Sequence, residues 1–144
     1  MRKEMSVVLS ISALVVVLAV PLMAQSMRLT ADIPFEFVVA GKSLPAGEYD
    51  VSKGSTERVL LVRPLERGAA AAVPANLMYV QAGSDPAAET KLVFSRYGNS
   101  YFLSEVHNGY TRTGFTVPMS KAERELMKTA SAQRFEVLAT MARR

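Results

Sequence analysis

Short stretches of the chain alternate between apolar and polar side chains. Phe35 and Phe37 are separated by a single residue, and residues 48–53 repeat the same period. A period of two puts every second side chain on one face of a β-strand. We therefore expect strands over residues 35–39 and 48–53, with Phe35 and Phe37 in the core, and a further strand in the apolar run 58–63.

A hairpin is the clearest predicted element. Residues 91–97 and 101–107 are rich in strand-forming side chains and flank a Gly-Asn turn. Strict alternation along the second run gives one face with Phe102, Ser104 and Val106. The opposite face then carries Tyr101, Leu103, Glu105 and His107.

The second face of this strand is the candidate partner surface. It mixes apolar groups that are costly to leave in water with a glutamate that is costly to bury without a partner. We therefore predict a half-covered surface, extended by a tyrosine of the following loop, to which a partner would bind. Its residues are Tyr101, Leu103, Glu105, His107 and Tyr110.

The pattern changes in the last quarter of the chain. Ser120 and Glu123 match a capping box, and apolar residues spaced by four predict a helix over about 121–130. The apolar stripe of this helix consists of Ala122, Leu126 and Ala130. Alternation returns over residues 135–141, which favours a helix followed by a strand over one long helix.

These elements predict a mainly β domain. Residues 70–80 add an irregular strand interrupted at Pro74, and residues 115–117 add a short one. We predict a small antiparallel sandwich or barrel of six to seven strands. The single helix near the C-terminus would cover an end or an open edge.

The start of the chain is typical of an export signal. Basic residues precede an apolar run over residues 6–20, and Pro21 follows it. We predict a signal peptide over residues 1–24, with cleavage after residue 24 or after Ser26. The remaining residues, 25–144, then form a single β-rich domain.

Composition narrows the possible chemistry. The chain has no cysteine, which excludes disulfides, thiolate metal sites and thiol catalysis. A net charge of +4 is too small to indicate nucleic-acid binding. The sequence contains neither a phosphate-binding glycine loop nor a serine elbow, so we expect no cofactor and no catalytic residue of these types.

One set of polar residues could still carry chemistry. Glu105 and His107 are two apart on a predicted strand, and Glu48 and Asp50 share a face of another strand. Together these four could hold a metal ion or act as a hydrolase. A solvated strand face with an ordinary histidine is the commoner meaning of this pattern, so we predict no metal site and no enzyme.

Three segments resemble a family of small exported bacterial proteins of uncharacterised function. Residues 33–51 (IPFEFVVAGKSLPAGEYDV) match its opening signature, residues 91–103 (KLVFSRYGNSYFL) match its hairpin, and residues 120–125 (SKAERE) match its helix. The resemblance covers most of the predicted mature chain. It implies a compact β-rich domain behind a signal peptide and implies nothing about a substrate.

We therefore expect an exported, non-enzymatic β-domain with a binding or structural role in the bacterial cell envelope, periplasmic or extracellular. Its partner would be an envelope protein or a polysaccharide, and the sequence does not indicate an oligomeric state. One alternative is a small secreted hydrolase that uses the four residues above. The other is a membrane-anchored accessory subunit, since residues 6–27 carry no charge and can just span a bilayer core of ~30 Å.

Overall fold

The computed structural model describes residues 27–81 and 83–142. The predicted signal peptide, residues 1–24, and both predicted cleavage positions lie outside this part of the chain. Among the described residues, no helix is long and apolar enough to cross a membrane.

The described residues form twelve strands and one helix. The first six strands are β1 (Arg28–Ile33), β2 (Phe37–Val39), β3 (Lys42–Leu44), β4 (Gly47–Lys53), β5 (Val59–Pro64) and β6 (Ala71–Pro74). The other six are β7 (Asn76–Tyr79), β8 (Lys91–Tyr97), β9 (Ser100–Asn108), β10 (Thr113–Thr116), β11 (Gln133–Leu138) and β12 (Thr140–Met141). The helix, α1 (Lys121–Met127), lies between β10 and β11.

The strands form two sheets. Sheet A has five strands in the order β12-β1-β4-β5-β6. Sheet B has seven, with the path β11-β8-β9-β10-β7 and with β2 and β3 attached through β9. The strand pairs of the described residues are antiparallel except β2 with β9, which is parallel. The predicted mainly β class is confirmed, and the arrangement is consistent with a sandwich because neither sheet closes into a barrel within the described residues.

The core lies between the two sheets. Phe37 of sheet B is 1% exposed, and its ring makes edge-to-face contacts with Tyr49 of sheet A and with Phe94. The buried hydroxyl of Tyr49 donates to the carbonyl of Pro45 at 2.7 Å, so its burial leaves no polar group unpaired. The predicted burial of Phe37 is confirmed. Phe35 packs half-buried against the core and precedes β2 instead of lying in it.

The structure has more strands than the six to seven predicted, because the chain changes sheets inside runs that resemble single strands. Residues 34–36 carry it from β1 in sheet A to β2 in sheet B, Ala75 separates β6 from β7, and Ala139 separates β11 from β12. Both alanines are buried, and their N–H groups donate to backbone carbonyls at 2.9 Å. Because Ala139 is itself small and apolar, the hydrophobic pattern does not reveal the break between β11 and β12.

The start of helix α1 confirms the predicted cap. The Oγ of Ser120 accepts a hydrogen bond from the backbone N–H of Glu123 at 3.1 Å. The helix ends at Met127, three residues earlier than predicted, and β11 follows, so the prediction of a helix and then a strand is confirmed.

The apolar stripe of this helix is not its buried side. Glu123 is the buried residue of α1, at 3% exposure, whereas the predicted stripe is not buried. Ala122 and Ala130 are exposed, and Leu126 is half-buried. The helix contacts the outer face of sheet B, where Glu123 accepts a hydrogen bond from Tyr97 at 3.4 Å.

A β-bulge at Ser104 inverts part of the predicted hairpin. Val93 of β8 lies opposite Glu105, but the next residue, Phe94, lies opposite Leu103, so Ser104 is the extra residue. Its Oγ donates to the carbonyl of Val93 at 3.0 Å. Because one extra residue moves the neighbouring side chains to the other face, Leu103 faces the core with Phe94 while Glu105 faces outwards.

Candidate functional site

The predicted partner surface is divided among three places in the fold. Leu103 is 3% exposed and belongs to the core, and Tyr101 packs half-buried against the core. Tyr110 is exposed and lines a separate cavity of about 600 Å³ beside β12. Only Glu105 and His107 remain together, on the outer face of sheet B. The prediction that these residues share one face is therefore wrong, and the bulge in β9 is the physical reason.

The outer face of sheet B brings three further charged residues to this pair. Lys91 of β8 lies directly opposite His107. Arg134 and Glu136 come from β11, which pairs with β8 on its other side. We call Lys91, Glu105, His107, Arg134 and Glu136 the outer-face cluster.

Ion pairs and a histidine–carboxylate hydrogen bond link the members of the outer-face cluster. The Nε2 of His107 lies 2.7 Å from Oε2 of Glu105. The guanidinium of Arg134 donates to Glu105 at 3.3 and 3.4 Å and to Glu136 at 3.0 Å. The Nζ of Lys91 completes the chain of contacts at 3.1 Å from Glu136. Each carboxylate of the cluster is thus fixed by at least one cation.

These contacts lower the pKa of both carboxyl groups. Burial acts to raise the pKa of Glu105, but the hydrogen bonds and charges of His107 and Arg134 outweigh it. Hydrogen bonds from Arg134 and Lys91 lower the pKa of Glu136. A carboxyl group that is held ionised is a poor general acid near neutral pH. The cluster is therefore better suited to binding than to proton donation.

His107 is covered although it lies on an outer face. It is 7% exposed, and its Nδ1 has no hydrogen-bond partner among the described residues. Gly114 of β10 lies directly opposite it. A Cβ at Gly114 would lie 3.1 Å from Val80 and 3.3 Å from Met78, so these two apolar side chains occupy the space beside the histidine.

A groove follows the outer-face cluster. One part, of about 470 Å³, is lined by Lys91, Glu105, His107, Arg134 and the segment 78–81, among others. A second part, of about 340 Å³, is lined by Glu105 and Arg134 and extends to helix α1. Because the two parts share Glu105 and Arg134, we treat them as one feature and call it the outer groove.

A buried carboxyl group lies where the outer groove meets helix α1. The Oε1 of Glu123 accepts a hydrogen bond from the hydroxyl of Tyr97 at 3.4 Å. Burial raises the pKa of Glu123, and hydrogen bonds from Tyr97, Ser95 and the backbone of Ser120 only partly oppose this. Burial and the charge of Glu123 likewise raise the pKa of Tyr97. This contact attaches the helix to sheet B.

The four residues of the hydrolase alternative are divided between the two sheets. Glu48 and Asp50 are on β4 of sheet A and face away from the core, whereas Glu105 and His107 are on the outer face of sheet B. Asp50 instead accepts a hydrogen bond from Arg28 at 2.9 Å. These four side chains therefore form no common catalytic or metal site. In the part of the chain that the structure describes, no three ligating side chains come together as a metal site.

The sequence interpretation missed Lys91, Arg134 and Glu136. The available signal was the alternation in β11, where Arg134 and Glu136 are interleaved with Phe135 and Val137. This alternation predicts a polar outer face, but it does not show that β11 pairs with β8. That pairing brings the two charged residues to Glu105.

No protein family, curated protein or solved structure matches the chain. The resemblance to small exported bacterial proteins therefore stays a prediction. The geometry of the outer groove is the basis for the function proposed below.

Proposed function

We propose that the protein is an exported, non-enzymatic β-sandwich domain that binds a polar partner in the bacterial cell envelope through the outer groove. The observation that carries this proposal is the outer-face cluster, in which ion pairs fix Lys91, Glu105, Arg134 and Glu136 along a groove. The partner is an envelope protein or a polysaccharide.

The balance of charge in the outer groove favours this class of partner. Glu105 is paired with Arg134 and His107, and Glu136 is paired with Lys91 and Arg134. Nucleic-acid sites instead present an excess of lysine and arginine side chains to the phosphates. The outer groove presents cationic hydrogen-bond donors beside anionic acceptors. Hydroxyl and amide groups can both donate and accept, so they can pair with either kind of side chain. Sugars and polypeptide backbone both carry such groups.

The electrostatics of the outer groove support a non-enzymatic role. Acid–base catalysis near neutral pH favours a carboxyl group whose pKa is raised towards the working pH. The pKa values of Glu105 and Glu136 are shifted in the opposite direction. Glu123, whose pKa is raised, is 3% exposed and is hydrogen-bonded beneath helix α1.

Cosedimentation tests binding through the groove. Purified protein is mixed with peptidoglycan sacculi and, separately, with envelope membrane vesicles from the bacterium that produces it. We expect the protein to sediment with one of these. Arg134→Ala should weaken binding about tenfold or more, because it removes a charged hydrogen-bond donor from both Glu105 and Glu136.

Arg63→Ala is the matched control for this experiment. Arg63 is an exposed arginine on the outer side of sheet A, and its loss should leave sedimentation unchanged. Absence of wild-type binding to both fractions would overturn the proposed function. Binding that Arg134→Ala leaves intact would overturn the outer groove as its site.

Export has its own test. The predicted cleavage positions leave a mature chain that begins at Gln25 or at Met27. N-terminal sequencing of the protein from the envelope fraction should find one of these residues first. A chain that begins at Met1 in that fraction would favour the anchored alternative.

A further inference from the structure

Strand β7 has one side without a partner strand in the described residues. It pairs with β10 alone. The N–H of Val80 donates to the carbonyl of Arg112 at 3.0 Å. Residues directed towards and away from the neighbouring strand alternate in an antiparallel ladder. The backbone N–H and C=O groups of Leu77 and Tyr79 are therefore directed away from sheet B.

The side chains at this edge are apolar and exposed. Leu77 is 53% exposed, and Tyr79 is 82% exposed. The strand, Asn76–Tyr79, contains no charged residue and no proline. Outward backbone groups beside exposed apolar side chains are what an added strand requires.

The other edges of the two sheets, within residues 27–81 and 83–142, have features that oppose strand addition. β3 contains Lys42, and β11 contains Arg134 and Glu136. β6 ends in Pro74, and β12 has only two residues. Charge, proline and shortness are the means by which proteins protect sheet edges. Strand β7 contains neither a charged residue nor a proline, and its four residues make it twice as long as β12.

We propose that β7 pairs with β7 of a second copy of this chain, antiparallel and centred on Met78. This register places Leu77 opposite Tyr79 of the partner subunit, and two-fold symmetry repeats the pair on the other side of the axis. The outward backbone groups of both residues then hydrogen-bond across the axis, and each leucine side chain lies beside a tyrosine ring. Because β7 is uncharged, the two copies meet without like-charge repulsion along the strand.

The paired edges join two copies of sheet B into one continuous sheet. The contact is short, and it is smaller than the roughly 1,200–2,000 Å² buried in stable complexes. We therefore expect a dimer in exchange with the monomer at micromolar to millimolar concentration. This inference does not depend on the binding of a ligand in the outer groove, although Met78 and Tyr79 also line part of that groove.

Sedimentation velocity over that concentration range tests the dimer. Wild-type protein should shift from monomer to dimer as its concentration rises. Tyr79→Lys places a charge on the edge of β7 and should hold the protein as a monomer. Leu65→Lys is the control, since Leu65 is an exposed apolar residue outside the strands and its substitution should leave the shift unchanged.

Single-cysteine variants test the register, because the chain has no cysteine of its own. At Met78 the two copies face each other directly as a non-hydrogen-bonded pair, with Cβ atoms about 4.5–5.5 Å apart. Met78→Cys should therefore oxidise readily to a covalent dimer. Tyr79→Cys is more exposed, but its two copies are out of register and should cross-link more slowly.

The outcomes are distinct. A monomer at every concentration would overturn the proposal and would leave the edge to a strand from another protein. A dimer that survives Tyr79→Lys, or faster cross-linking through Tyr79→Cys than through Met78→Cys, would also overturn it. Both results can be obtained whether or not the protein binds an envelope fraction.

Discussion

The ring of Tyr101 lies stacked on the ring of Phe35, with centroids 3.8 Å apart and planes 13° apart. Tyr101 belongs to β9, whereas Phe35 belongs to the segment that carries the chain from sheet A to sheet B. Phe135 of β11 meets both rings edge-on, at 5.4 and 5.7 Å. The stack thus fixes the crossing segment against sheet B, which gives Tyr101 a structural role.

Replacing Tyr101 should therefore destabilise the fold. We expect Tyr101→Ala to lower the free energy of unfolding by about 1–3 kcal/mol, because a half-buried ring and its aromatic pairs are lost. Tyr101→Phe keeps the ring and should change stability by less than about 0.5 kcal/mol. Urea denaturation measures both values. Equal effects of the two substitutions would show that the stack contributes nothing.

Phe37 should be the more sensitive of the two predicted core phenylalanines. It is 1% exposed between the sheets, so Phe37→Ala should cost about 3–5 kcal/mol. Phe35→Ala should cost less, because Phe35 is only half-buried. Leu138→Ala is the control, since Leu138 is 67% exposed and should have little effect. A larger loss at Phe35 than at Phe37, measured by thermal or urea unfolding, would contradict this order.

The raised pKa of Glu123 predicts a pH dependence of stability. Its folded-state pKa lies above the ordinary value of 4.5, so folding favours the protonated form. The stabilisation is complete below the unfolded-state pKa and is lost as pH rises through the folded-state pKa. We expect Glu123→Gln to remove this loss and to be more stable than wild type at pH about 7, since glutamine also completes a capping box. Urea unfolding at a series of pH values measures the slope.

Glu136→Gln should have the opposite sign. The pKa of Glu136 is lowered, so its stabilisation is present above the ordinary value and is lost as pH falls through the folded-state pKa. This substitution should lower stability at neutral pH and leave the slope due to Glu123 unchanged. If Glu123→Gln left the slope above pH about 4.5 as it is in wild type, Glu123 would not be its source.

Gly114 should not tolerate a side chain. A Cβ there would lie 2.6 Å from the carbonyl oxygen of Val106 and 3.1 Å from Val80. Gly114→Ala should therefore cost about 1–3 kcal/mol through overpacking. Gly98→Asn is the control, because Gly98 has open space around it and a φ of 61° that asparagine adopts more readily than most residues. A smaller loss for Gly114→Ala than for Gly98→Asn in urea unfolding would contradict the contact.

The sequence by itself determined the elements whose signals are local. The hairpin of β8 and β9 follows from two strand-forming runs around the Gly98 turn, and the start of α1 follows from Ser120 and Glu123. Alternation over residues 48–53 likewise predicted the strand that the structure shows as β4. These features depend on neighbouring residues alone, so they can be predicted without knowledge of the fold.

Only the tertiary structure decided which faces these elements present and what lies beside them. A prediction from alternation assumes that every residue of a strand is paired in turn. The single extra residue at Ser104 breaks this assumption, so Leu103 faces the core while Glu105 faces outwards. Arg134, the arginine partner of Glu105, comes from β11, some thirty positions later in the chain, because β11 pairs with β8. Glu123 is buried because the helix packs on sheet B through its capped first turn. The spacing of apolar residues along a helix does not show which side of the helix contacts another element, so the sequence could not predict this burial.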